Sequence, residues 1–234
     1  MAKTPAPRDS VARFLADVAA SNPPARTGAE PNRILFALDA TASREPTWDM
    51  AMNLHAELFR AAADNSADAG AGDLAVQLVY YRGFQEFHAS PWSTSSPDLL
   101  RRMTGVVCRG GLTQIQRVLA HALAEARAVR VKAAVFVGDA CEEPKGQVVA
   151  AAGRLALFKV PFFVFQEGHD PMAARTFREI ASITGGAYAP FAPGSADQLR
   201  TLFGAVARYA TRGRSGLREI EHNLARDMLA QLPR

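Results

Sequence analysis

Cysteine is nearly absent: the 234-residue chain contains only Cys108 and Cys141. A disulfide framework is therefore not expected, and a reducing cytoplasm is the default setting. No apolar run approaches the roughly 20 residues that a bilayer-crossing helix needs, so no membrane role is expected. The opening stretch Met-Ala-Lys-Thr-Pro-Ala-Pro-Arg-Asp has no apolar segment after it and does not read as a secretory signal. Also missing are a P-loop, a dinucleotide glycine fingerprint after the first strand and a G-x-S-x-G elbow. Net charge is only +4, and the arginines are dispersed. Nucleic-acid binding is permitted by that charge but not indicated by it. What is present is 48% hydrophobic residues, ample for a large core, with an ordinary 21% charged.

The most informative stretch is 33–43. Ile34 to Leu38 are five apolar residues in a row, the pattern of a strand buried on both faces inside a parallel sheet. The strand runs into Asp39, Thr41 and Ser43. Their alternate spacing lets a bend just past the strand aim one carboxylate and two hydroxyls at one point. Hard oxygen donors gathered there suit a hard divalent cation, above all Mg²⁺. The blander alternative is a strand followed by a polar cap, with Ser43 as the N-cap of the next helix.

Taken in order, residues 9–20 read as a short amphipathic helix, and 21–32 as a linker punctuated by Pro23, Pro24, Gly28 and Pro31. After the first strand, the pattern predicts a helix over 46–62, a strand over 73–81 and an antiparallel edge pairing over 83–89. A short helix at 98–103 follows, then a helix from Thr113 to about 129 behind the turn Gly110-Gly111. Further strands are expected at 131–137, 161–165 and 187–191, alternating with helices to about 158, over 171–184 and over 195–209. Gly213 and Gly216 bracket a break before a last helix over 217–232. Strands alternating with helices predict an α/β fold, a doubly wound, mainly parallel six-stranded sheet covered on both faces. The organisation is an N-terminal helical arm and linker over 1–32, the α/β domain over 33–212 and a C-terminal helix over 213–234. In such sheets the binding site lies beyond the C-terminal strand ends, where strand order reverses.

Three of those ends carry matching oxygens: Asp39-Ala40-Thr41-Ala42-Ser43 after the first strand, Thr113 at the head of a helix, and Asp139 directly after the strand at 131–137. This order resembles the von Willebrand factor type A family, whose metal-ion-dependent adhesion site uses D-x-S-x-S, a distant Thr and a distant Asp. The resemblance covers about residues 33–210. Thr41 departs from the usual Ser but keeps the hydroxyl, and Ala140 stands where the family has Gly. Cys141, Glu142 and Glu143 follow it. The resemblance implies that Thr41 and Ser43 touch Mg²⁺ (with Mn²⁺ or Ca²⁺ as alternatives) and that Thr113 contacts it directly or through water. It implies that Asp39 and Asp139 hold coordinating waters and that a partner's carboxylate fills an open position. It also implies a cytoplasmic adaptor of the kind found beside AAA+ ATPases.

The expectation is thus a binding module and not an enzyme. The rival is a Mg²⁺-dependent phosphohydrolase using Asp39. Haloacid-dehalogenase-type phosphatases require a second Asp two residues on, and here that residue is Thr41. Among other polar residues, Cys108 and Cys141 read as two free, small apolar thiols, and Asp170 as an N-cap before Pro171. Tyr80 and Tyr81 read as packing beside a solvated Arg82. His55, His88, His121 and His222 show no ligand spacing.

Overall fold

Strand β1 (Asn32–Asp39) lies inside a sheet of order β3-β2-β1-β4-β5-β6, formed with β2 (Leu74–Arg82), β3 (Glu86–Ala89), β4 (Val131–Gly138), β5 (Phe162–Glu167) and β6 (Tyr188–Phe191). The computed structural model describes residues 30–46, 74–193 and 195–233. The chain divides into two units, Met1–Glu30 and Pro31–Arg234, and the fold described is that of the second. The expected helices over 9–20 and 46–62 lie outside the described residues, apart from the first residue of the latter.

All neighbouring strands run parallel except β3, which pairs antiparallel to β2 as an edge. Because side chains alternate along a strand, β1 feeds two cores. Leu35 and Ala37 join Val79, Ala134, Phe136, Phe162 and Val164 under helices α2 (Ile115–Ala128), α3 (Lys145–Ala156) and α4 (Pro171–Thr184). Ile34, Phe36 and Leu38 join Val76, Leu78, Val135, Phe163 and Phe165. That second face is covered by α1 (Ser96–Thr104), α5 (Ala196–Arg218) and α6 (Asn223–Gln231). This is the α/β sandwich that the apolar runs predict.

Local signals set most boundaries. Ser95 caps α1 by accepting from Asp98 N–H. Asp170 caps α4 by accepting from Met172 and Ala173 N–H at 2.7 and 2.9 Å, and Gly185 closes that helix at φ 72°, a left-handed conformation that glycine adopts without a Cβ penalty. β5 outruns the predicted 161–165 because Gln166 and Glu167 are buried polar residues with internal partners. Tyr188 O–H donates to the Gln166 side chain at 2.7 Å, and Arg44 pairs with Glu167 at 3.0 Å.

The C-terminal reading needs correction. Residues 213–234 are not one appended helix. The helical run to Arg218 is broken at Gly213, whose φ 63° and ψ −149° are not helical, as the sequence predicts; but the segment after the break ends at Arg218, and a separate α6 follows. Leu217, Ala225, Met228 and Leu232 then sit in the same buried cluster as Ile34 and Val135. Apolar area buried against the sheet holds this segment down.

Candidate metal centre

Strand order reverses at β1, whose neighbours β2 and β4 are both reached by crossovers, so its C-terminal end opens at the switch point of the sheet. Asp39, its last residue, is fully buried. Its Oδ1 accepts from Thr41 N–H at 2.8 Å and its Oδ2 from Tyr81 O–H at 2.8 Å. The register sets up the second bond, because Asp39 lies opposite Tyr81 across the β1–β2 ladder. Burial raises the Asp39 carboxyl above its ordinary range, against the hydrogen bonds from Thr41 and the nearby Arg44 charge. Tyr81 was expected only to pack. Here it anchors the carboxylate.

The Thr41 and Ser43 hydroxyls lie 3.1 Å apart. Ser43 lies inside a 3₁₀ turn, Ala42–Arg44, whose N-cap position is Thr41 and shows no side-chain capping bond; the next helix, which Ser43 would cap, lies outside the described residues apart from its start. The sequence also gave no warning of Arg44, which is only 1% exposed. Its guanidinium donates to Glu167 and to the backbone oxygen of Asp39, each at 3.0 Å. An arginine there ties the ends of β1 and β5 together beneath the turn.

Thr113 and Asp139 come from the next two loops. Thr113 and Glu142 clasp each other: Thr113 N–H donates to Glu142 Oε2 at 3.1 Å, and Glu142 N–H to Thr113 Oγ1 at 3.0 Å. Glu143 accepts from Ile115 and Gln116 N–H at the start of α2, where Gln114 offers no side-chain cap. Burial raises the Glu143 carboxyl, and the Asp39 charge adds to that. Glu142 and Glu143 thus join the loops, a role the sequence signalled only by two acids following Asp139 and a helix start with no Ser, Thr or Asp at its cap. Asp139 Oδ1 is buried and has no hydrogen-bond partner among the described residues. Gly138 keeps space beside it: a Cβ there would come within 3.4 Å of the Asp39 Cβ and 2.7 Å of the Phe136 ring. The Tyr81 phenol is pushed well above its ordinary value by burial first, then by Asp39, Glu143 and Asp139, so the three carboxylates bear on one region.

This donor set suits a hard cation. It consists of oxygen only, combines hydroxyls with carboxylates, and includes a buried carboxylate oxygen with no hydrogen-bond partner among the described residues. Thr113 Oγ1 accepts one bond and keeps a second acceptor position. Among the described residues no group of three or more His, Cys, Asp or Glu is arranged to hold a metal. Cys108 and Cys141 are free and half-buried, and burial pushes their thiols up to about 12 and about 11. Neither is a ready soft-metal ligand.

The loop carrying Thr113 is held by a close backbone approach. A Cβ on Gly111 would lie 2.0 Å from the carbonyl oxygen of Gly83, whereas Gly110 faces open space. We expect Gly111→Ala to lower stability by about 1–3 kcal/mol, and Gly110→Ala by less than about 0.5 kcal/mol. Urea unfolding of the two variants checks this, and equal effects would show that the approach is not tight.

No family model matches the chain, and no curated protein matches it. Solved structures do. A pilus adhesin, SpaC from Lactobacillus rhamnosus GG, superposes with a TM-score of 0.63 at 11% identity, over 80% of this chain and 30% of that one. The SpRpn10 VWA domain gives 0.57 at 11% identity, over 73% and 92%. The vWF domain of the type V pili tip protein Mfa5 from Porphyromonas gingivalis gives 0.57 at 10% identity, over 76% and 94%. The chain thus spans under a third of the adhesin but nearly the whole of the two single domains.

Proposed function

From the premise of a von Willebrand factor type A fold, we propose that the chain is a protein-binding module that grips an Asp or Glu side chain of a partner through a divalent cation, Mg²⁺ first among them. Thr41 and Ser43 would hold the cation through their hydroxyls, with Thr113 beside them, and Asp39 and Asp139 would supply the negative charge that balances it. When bound, the cation supplies positive charge and a position open to an incoming carboxylate. The observation that carries this reading is the buried Asp139 Oδ1 without a hydrogen-bond partner among the described residues. An unmet buried acceptor costs about 1–3 kcal/mol or more, which a cation offsets. The naming of one fold neighbour as a pilus adhesin agrees with an interaction role. Thr41 stands where a phosphatase needs its second carboxylate, which favours binding over turnover.

The test is a melting and calorimetric titration with Mg²⁺, Mn²⁺ and Ca²⁺. At free cation ten times the dissociation constant, wild type gains about 1.4 kcal/mol. Asp139→Ala and Ser43→Ala lose that increment, and without cation Asp139→Ala melts no lower than wild type because it removes the unpaired oxygen. No response of wild type to any of the three cations at millimolar concentration would overturn the reading. A phosphatase activity abolished by Asp39→Ala would replace it with an enzyme.

A further inference from the structure

Beside the candidate centre, two loops interlock into one ledge. The turn between β2 and β3 holds Gly83 and Gln85 at φ 55° and 59°. The loop over 107–114 is pressed against it. Gly83 N–H donates to Arg109 O, Arg82 to Val107 O, Arg117 to Gln85 O and Gln114 to Glu86 O. Arg109 also pairs with Glu86 at 2.9 Å. The ledge is continuous with the site, because Arg109 N–H donates to Ala40 O at 3.0 Å and Arg109 bridges Thr41.

Three large apolar side chains stand out from this ledge: Phe84 is 87% exposed, Val107 62% and Leu112 60%. They add little to the core, and polar residues would serve these loop positions at lower solvation cost. Arg82 and Arg109 of the ledge pair with Glu86, Arg117 lies over the Phe87 ring, and Glu142 and Glu143 hold residues 113–116 from the next loop, so the charges are balanced and the surface that stands out is apolar. A rigid apolar surface continuous with the candidate centre fits a partner segment whose bulky apolar groups flank the acid that the centre takes, and exposed aromatic anchors are where such contacts concentrate.

We infer that the ledge of Phe84, Val107 and Leu112 is the partner-reading half of the site, and that its occupant is a protein segment with an Asp or Glu flanked by bulky apolar side chains. The acid half of this inference rests on the metal-bridge reading; the apolar half does not. The ledge supplies contact area that one carboxylate lacks, and it selects among acidic segments by their neighbours.

The experiment is selection of phage-displayed random peptides on the full chain in Mg²⁺, followed by anisotropy measurements with the enriched peptide. We expect an enriched acid flanked by Leu, Ile, Phe or Trp. Binding should weaken about tenfold or more in Phe84→Ser/Leu112→Ser and be lost with chelator or in Ser43→Ala. These ledge residues are exposed, so the double variant should melt like wild type. Enriched peptides that need the metal but ignore the ledge variant would overturn this inference and leave the metal bridge standing. Peptides that need the ledge but bind in chelator would remove the metal bridge and leave the ledge as an apolar docking surface. No enrichment over the double variant, or self-association of the chain that the variant abolishes, would overturn the inference.

Discussion

Replacing Arg44 with methionine should lower folding stability by about 3–5 kcal/mol. Arg44 is almost completely buried, and so is its partner Glu167. The guanidinium meets Glu167 Oε2 through Nε and Nη2, each at 3.0 Å, while Nη1 donates to Asp39 O at 3.0 Å and reaches Val137 O at 3.5 Å. One side chain therefore connects the C-terminal ends of β1, β4 and β5. Methionine fills much of the same volume but takes the guanidinium away from the buried Glu167 carboxylate, and it withdraws the positive charge that opposes the raised Asp39. The double variant Arg44→Met/Glu167→Met removes both charges and should recover most of the loss, since a buried pair is often no more stable than a well-packed apolar one. Equilibrium urea unfolding of the two single variants and the double variant gives the coupling directly. Additive single effects would mean that the pair does not act as a unit.

Arg44 also shows where the sequence stopped being legible. Four apolar runs announced the strands at 34–38, 74–80, 131–137 and 161–165, because a parallel sheet covered on both faces demands near-continuous apolar residues. Those runs place Asp39 and Asp139 just past strand ends without any structure. Helix bounds were legible where a cap or breaker stood, as at Asp170 and Gly185. The polar residues buried by partners far along the chain were not. Arg44 finds Glu167, and Asp39 finds Tyr81, across 123 and 42 positions, and no local periodicity encodes such a pairing. Glu142 and Glu143 were visible as residues but not as clasps, since their partners at 113–116 lie in another loop. The bend at Gly213 was legible as a break. The packing of residues 217–232 into the main core was not, because an amphipathic pattern does not state which surface it covers.

Phe136→Ala should cost about 3–5 kcal/mol, and its effect should also be felt at the candidate centre. Phe136 is fully buried in β4. Its ring stacks on Tyr81 at 6.2 Å and on Phe162 at 6.5 Å, and meets Phe177 edge-on at 5.7 Å. The same ring fills the space that a Cβ on Gly138 would need. It thus supports both neighbours of Asp39: the tyrosine that donates to the carboxylate and the glycine that leaves room beside it. Truncation to alanine leaves a cavity under both, and close-packed surroundings relax only partly into it. Phe136→Leu, which keeps more of the volume, should cost less than half as much as alanine. Calorimetric Mg²⁺ titration of the folded variants then separates packing from positioning. If Phe136 only fills space, alanine lowers the urea midpoint and leaves cation affinity at the wild-type value. If its ring fixes Tyr81 and hence Asp39, affinity falls with stability in alanine and is largely restored in leucine. We expect the second outcome, because the ring that fills the core is the surface on which Tyr81 rests.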